Sequence, residues 1–369
     1  MFLMRAPHAS ARRFALACGA LTTATVLLTQ PPATAQPSLT TRSSATAKSA
    51  VTALPAATAG SGAAAERTRA STAAALPSSP CTPNAGVRAC ELWAKTGTLA
   101  LPGGVTVPIW GYAAAAGDPP SLPGPLLLAT AGETVRVTVH NMLGEATSLG
   151  LPEQDVPPDT TGAAPGASRT YEFTATRPGT FRYEAGLTGG GPRQVAMGLA
   201  GALVVRPASG GGAYGTPTTA FDDEALVVLQ GIDPAFNAAP STYPMSRYRP
   251  RYWLINGAAY PDTAPIPTAQ GHRLLLRYVN AGLEDHPMSL AGAYQSVVGA
   301  DGREAGHPYT VLSETVIAGG TMDAVVAVPP GAPPLIPLFE AARHIDNAGH
   351  VTAGTVDLGG MLTFIAVTP

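Results

Sequence analysis

The sequence predicts an all-β protein made of two β-sandwiches, and three observations carry that expectation. Apolar residues recur at every second position in two segments of matched spacing, which is the pattern of half-buried strands. Glycine and proline, 41 and 37 of 369 residues, punctuate the chain at intervals that keep strands short. No segment sustains a helical period, so sheet must pack on sheet.

The chain begins with the pattern of an export signal. Arg5, Arg12 and Arg13 form a positive start, Phe14 to Leu28 an apolar run, and Ala33-Thr34-Ala35 a small-residue cleavage site before Gln36. Residues 1–35 are therefore expected to be a signal peptide and the mature protein to be secreted or otherwise extracytoplasmic. General and twin-arginine export both remain open. The apolar run is shorter than the roughly 20 residues of a spanning helix, so no transmembrane segment is expected in the mature chain. Ala15-Leu16-Ala17 before Cys18 is a poor lipobox, and lipidation is not expected.

Residues 36–90 read as a disordered stalk. From Gln36 to about Pro80 alanine, serine, threonine and proline dominate, and large apolar side chains are too few to offset the entropy of ordering. Cys81 and Cys90 are the two cysteines that survive processing, and in an oxidising compartment they are expected to form a disulfide ahead of the fold.

An internal repeat organises the rest. Gly132-E-T-V-R-V-T-V-H-Asn141 matches Gly271-H-R-L-L-L-R-Y-V-Asn280, with Val135, Val137 and Val139 in one copy and Leu274, Leu276 and Tyr278 in the other. Ser148-Leu149 and Ser289-Leu290 follow at similar distances, then glycine turns at Pro165-Gly166 and Gly319-Gly320. The closing strands begin at Gly201 and Gly360. Two domains are expected, residues 91–210 and 214–369, divided at the Gly/Ala-rich stretch from Ala208 to Ala213.

A net charge of -2 and a pI near 6.4 offer no footprint for nucleic acid. Asp222-Asp223-Glu224 is expected to be a solvated interdomain turn. Tyr243 to Trp253, YPMSRYRPRYW, is expected to be an ordered linker whose rings cover a domain edge.

Asp285 to Gly302 reads DHPMSLAGAYQSVVGADG, which resembles the H-P-x-H-L-H-G segment of the multicopper oxidases, laccase-like enzymes built from cupredoxin domains. LPGPLLLATAGETVRVTVHN, PGASRTYEF, PGTFRYEAGL and QVAMGLAGALVVRP in the first unit are similar to the same family. WLINGAAYPDTAPI, LLLRYVNAG, ADGRE and GGMLTFIAV are similar to it in the second. The resemblance spans roughly Leu101 to Thr368 and implies two cupredoxin-like Greek-key β-sandwich domains.

It also implies a copper-ligand pattern that this chain does not follow. His286 stands at the first histidine of H-P-x-H-L-H-G, while Ser289 and Ala291 stand at the second and third. Where the family has S-L-H-W-H-G, Gly150 and Pro152 replace histidines; where it has Y-H-S-H, Glu184 and Gly186 do. The H-C-H motif is absent, its region being Pro337 to Gly349, and blue copper needs a thiolate while the cysteines are Cys18, Cys81 and Cys90. On another alignment the second unit matches the copper-free middle domain of three-domain members, and His286 was never a ligand.

Three functional expectations follow from the resemblance. The first is an exported scaffold without copper centres, with no cofactor, serving a non-catalytic binding or structural role for an envelope or extracellular partner. The alternatives are a copper-dependent oxidoreductase with a reduced site, and a metal carrier. Family members often assemble in threes, which makes a homo-oligomer possible. The candidate metal ligands are His286, Glu184 and His344, with His350 a further histidine of the second unit; ordinary packing is the competing account of His286.

Overall fold

The computed structural model describes residues 74–84, 86–342, 344–352 and 354–369. The expected signal peptide, Cys18 and most of the expected stalk lie outside the described residues. The first half carries β1 (Thr82–Asn84), β2 (Val87–Leu101), β3 (Val105–Ala113), β4 (Leu127–Thr130), β5 (Thr134–Asn141), β6 (Leu149–Gly150), β7 (Ser168–Thr174), β8 (Gly179–Ala185), the short helix α1 (Gly191–Met197) and β9 (Ala200–Arg206). The second carries β10 (Asp223–Ile232), α2 (Pro234–Ala238), β11 (Tyr252–Ile255), β12 (Ile266–Ala269), β13 (Arg273–Asn280), β14 (His286–Leu290), β15 (Gln295–Ala300) and β16 (Arg303–Val311). It continues with β17 (Ser313–Val316), β18 (Thr321–Ala327), β19 (Leu335–Glu340), β20 (Asp346–Thr352), β21 (Thr355–Leu358) and β22 (Leu362–Thr368).

The sheets repeat one topology. In the first sandwich β1-β2-β5-β7, with β3 on β2, packs over β4-β9-β8-β6. In the second, β11-β10-β13-β18-β15-β16 packs over β12-β22-β19-β14-β17. β2 runs parallel to β5 as β10 does to β13, and β4 parallel to β9 as β12 does to β22. The remaining sheet pairings are antiparallel.

The repeated residues have repeated jobs. Gly132 and Gly271 take φ of 92° and 83°, a left-handed conformation that glycine adopts without steric cost, and turn the chain into β5 and β13. Asn141 and Asn280 are fully buried and pin the following loops. Asn141 donates to the carbonyls of Glu145 and Ala163, and Asn280 to those of Glu284 and Val316; each accepts from a backbone N–H two residues on.

Alternation holds in β5, where Val135, Val137 and Val139 are buried and their neighbours partly exposed. β13 departs from it, because everything after Arg273 is buried. Leu274, Leu276 and Tyr278 face their own core, while Leu275 packs on Tyr214 and Val298, and Val279 on Ala200, Ala202 and Val204 of the first half. The second face of the strand is an interface between the sandwiches. A strand buried on both sides loses the polar alternation that marks a solvent face.

That interface also carries buried charge. Arg277, fully buried, donates to Glu224 Oε2 (2.9 Å) and Thr180 Oγ1 (3.0 Å) and lies 3.5 Å from Asp323 Oδ2. The acidic run expected as a solvated turn is therefore mostly inside. Asp223 and Glu224 open β10, and opposite faces of the strand send them to different partners. Asp223 accepts from Thr268 and His272, whereas Glu224 pairs with Arg277 and Arg206.

The folded region begins earlier than the stalk boundary at residue 90 anticipated. Ala74 exchanges backbone hydrogen bonds with Pro267 and Glu224, Leu76 fills the gap between the sandwiches, and residues 82–101 lie in β1 and β2. Composition understated this segment because backbone pairing and one leucine hold it. Cys81 and Cys90 are joined by a disulfide, with Cys90 buried in the first core. In the aromatic run, Tyr243 and Tyr248 pack edge-on against Phe236.

Candidate metal centre

The second sandwich gathers three ligand-type side chains at one end of a sheet. In the β14–β19 ladder Met288 lies opposite Glu340. His286, two residues before Met288, shares its face, so both His286 and Glu340 project from the same end of the sheet. The chain leaves β19 at Glu340 and turns back within four residues, which places His344 over the same point.

Glu340 Oε1 lies 3.6 Å from His286 Nδ1 and 3.3 Å from His344 Nδ1, and one ligand atom from each of the three side chains falls within 4.8 Å of the others. The exposures are 1% for the His286 side chain, none for Glu340 and 26% for His344. None of the three atoms has a hydrogen-bond partner, although each is buried.

Other groups hold these side chains in place. Glu340 Oε2 accepts from the His344 backbone N–H at 3.0 Å, which turns Oε1 toward the imidazoles. His344 stacks on Trp253, ring centroids 4.3 Å apart and planes 6° from parallel, and meets His286 edge-on at 5.7 Å. Trp253 Nε1 points at Glu284 Oε2, 3.5 Å away.

Burial alone would raise the Glu340 carboxyl, but the imidazoles of His286 and His344 and the His344 N–H pull it down to about 2. His344 is raised by its approach to Glu340 against the opposing effect of burial. At 3.6 and 3.3 Å the two ring contacts are longer than well-formed hydrogen bonds.

The three buried atoms lie close together without a well-formed hydrogen bond among them, which leaves polar groups imperfectly satisfied. A shared cation relieves all three at once. Two imidazole nitrogens and a carboxylate oxygen suit zinc or another divalent first-row ion.

Glu184 lies elsewhere, on β8 of the first sandwich, where its Oε1 accepts from Arg182 Nη2 at 2.9 Å. His350 sits in the β20–β21 hairpin, bonded to Asp357 (2.8 Å) and exposed. The structure thus brings His286 and His344 together and adds Glu340, which sequence reasoning missed. The signal was present in the Glu340-x-x-x-His344 spacing inside Pro337 to Gly349, a stretch read only for its lack of H-C-H.

The positions where the resemblance puts histidines in the first sandwich also share a place. Gly150, Pro152, Glu184 and Gly186 line one cavity of about 310 Å³. A side chain at Gly186 would strike Ser148 Oγ and the Leu149 backbone. Glu184 has one oxygen on Arg182, and the other three offer no ligand atom, so a single carboxylate remains and the residues present do not fit a trinuclear copper cluster. A blue copper centre does not fit either, because the two described cysteines are bonded to each other. Among the described residues no helix is long and apolar enough to cross a membrane.

Comparison with known proteins agrees with this architecture. Residues 115–210 match the family model described as multicopper oxidase. The chain is 30% identical over 236 residues to Laccase-3 of Thanatephorus cucumeris, covering 55% of this chain and 39% of that protein. It is 27% identical over 231 residues to the copper-containing nitrite reductase of Alcaligenes xylosoxydans xylosoxydans, covering 56% and 68%.

Among solved structures it is similar to the blue copper oxidase from Nitrosomonas europaea, with a TM-score of 0.65 at 22% identity over 76% of this chain and 86% of that one. The copper nitrite reductase from Nitrosomonas europaea gives 0.61 at 19% identity, over 76% and 94%. At such identities the likeness establishes the cupredoxin-like fold alone. The chain spans well under half the length of Laccase-3.

Proposed function

We propose that this chain, which has a cupredoxin-like fold and matches the multicopper oxidase family model over residues 115–210, is a non-catalytic, metal-binding relative of the multicopper oxidases and copper nitrite reductases working outside the cytoplasm. One mononuclear site of His286, Glu340 and His344 takes the place of the redox copper centres. The observation that carries this reading is the convergence of three buried, unpartnered ligand atoms.

The donor set favours binding over electron transfer. It contains no sulfur, and blue copper depends on a thiolate. Reduction of oxygen by four electrons requires several metals, for which Gly150, Pro152 and Gly186 offer no ligand atoms and Glu184 is tied to Arg182. The near-complete burial of His286 and Glu340 suits an ion that is held or carried. Export is supported by the signal-like N-terminus and by the Cys81–Cys90 disulfide, since such bonds persist in oxidising compartments.

The test is a titration of chelator-treated protein with zinc against a chromogenic chelator. The protein is expected to take up a single equivalent, and His286→Ala, Glu340→Ala and His344→Ala each to weaken it by at least about a hundredfold, beyond the usual effect of losing a supporting residue. Glu184→Gln should leave uptake unchanged. Uptake indifferent to the three alanine variants, or no uptake, overturns the reading.

A further inference from the structure

The cavity in the first sandwich has a construction of its own, independent of the metal centre. Leu149, Leu151, Pro152 and Val156 give it apolar walls, Leu187 stands at its mouth with 63% exposure, and Glu184 supplies a carboxyl. Its volume of about 310 Å³ is at the small end of ligand pockets, which run from about 300 to 1,000 Å³.

The polar groups differ in what they have left to offer. Asp159, also on the lining, is engaged: it accepts from Tyr171 Oη at 2.8 Å and the Thr161 and Gly162 N–H groups at 3.0 Å, and pairs with Arg169 at 2.7 Å. Glu184 has its Oε1 on Arg182 and, among the described residues, no donor on Oε2. Burial raises the Glu184 carboxyl, opposed by Arg182.

Gly150 leaves the floor bare. A Cβ there would lie 3.4 Å from Gly186 Cα and 3.6 Å from Glu184 Cγ, in ordinary contact. A flat ligand can therefore rest on backbone, and a large residue at 150 would take its place.

We propose that this cavity binds a small, uncharged, largely apolar molecule carrying one hydrogen-bond donor, such as a nitrogen heterocycle or an alcohol, with the donor directed to Glu184. Apolar walls supply affinity, and the single acceptor fixes orientation. A cation is not selected, because Arg182 already balances the carboxylate. An anion is not selected either, because no cationic side chain lines this cavity.

Indole and 1-methylindole test this directly, since they differ by the one N–H. Titration of the isotope-labelled protein, read at the backbone amides of Gly150, Gly186 and Leu187, should give saturable shifts with indole and about tenfold weaker binding of 1-methylindole, the worth of one hydrogen bond. Gly150→Leu should abolish binding of both probes, and Glu184→Leu should bring their affinities together. Absence of saturable shifts, equal affinities in the native protein, or unchanged binding in Gly150→Leu would overturn the proposal. If Gly150→Leu does not fold, the Glu184→Leu comparison decides it alone. Zinc uptake is measured separately, so failure here leaves the metal reading standing.

Discussion

Replacing Arg277 with methionine tests whether the two sandwiches are held together by buried charge. The guanidinium is fully buried and touches Glu224, Thr180 and Asp323. In the variant Glu224 keeps Arg206. Asp323 keeps two hydroxyl donors, from Thr180 at 2.5 Å and Tyr214 at 2.7 Å, but has no cation left. Removing one member of a buried ion pair strands the other and costs about 3–5 kcal/mol. With Glu224 still compensated, the loss should sit at Asp323.

Adding Asp323→Asn to the same chain removes the stranded charge while keeping an acceptor for one of the two hydroxyls. The double variant should recover about half the loss, a coupling of the size seen between residues in one network. The assay is urea unfolding at neutral pH, followed by far-UV circular dichroism and by the fluorescence of Trp93 and Trp110 in the first sandwich and Trp253 in the second. A loss for Arg277→Met no larger than a surface substitution, about 0.5 kcal/mol, would refute the reasoning. So would a double variant no more stable than the single one.

Two further perturbations probe the frame that carries the sites. Replacing both Cys81 and Cys90 with serine opens a loop whose ends are 9 residues apart, and chain entropy puts the loss at about 2.5 kcal/mol, measurable as a lower urea midpoint. Gly302→Ala should cost more than about 2 kcal/mol or prevent soluble expression, because residue 302 has φ of 64° and a Cβ there would overlap the buried Phe181 ring. A neutral result would mean that the sandwiches do not meet as closely as Gly179, Phe181 and Gly302 suggest.

The sheets were readable because alternation and turn residues act locally. The matched Gly-to-Asn segments became β5 and β13, and their shared asparagines proved to anchor loops in the same way. The inner burial of β10 and β13 was not readable, since it comes from a second sandwich packed on a face that local pattern treats as solvent-exposed. Residues 74–90 misled for a related reason: the backbone pairing of Ala74 to β10 and β12, and of β1 and β2 to each other and to β5, leaves no mark on composition.

The proposed metal centre was half visible. His286 and His344 stood out as histidines, but Glu340 acquires meaning only through the register that sets it opposite Met288, 52 residues earlier in the chain by number. Glu184 drew attention through its place in a resembling motif. The fold instead gives it an arginine partner and a cavity wall.

Copper reconstitution followed by visible and electron paramagnetic resonance spectroscopy tests the central claim most directly. A thiolate-free His286–Glu340–His344 site predicts a single copper(II) per chain, with only weak visible absorption and the wide hyperfine pattern of nitrogen and oxygen ligands, and with the signal lost in Glu340→Ala. An intense blue band, or several coppers per chain accompanied by oxygen consumption, would contradict it.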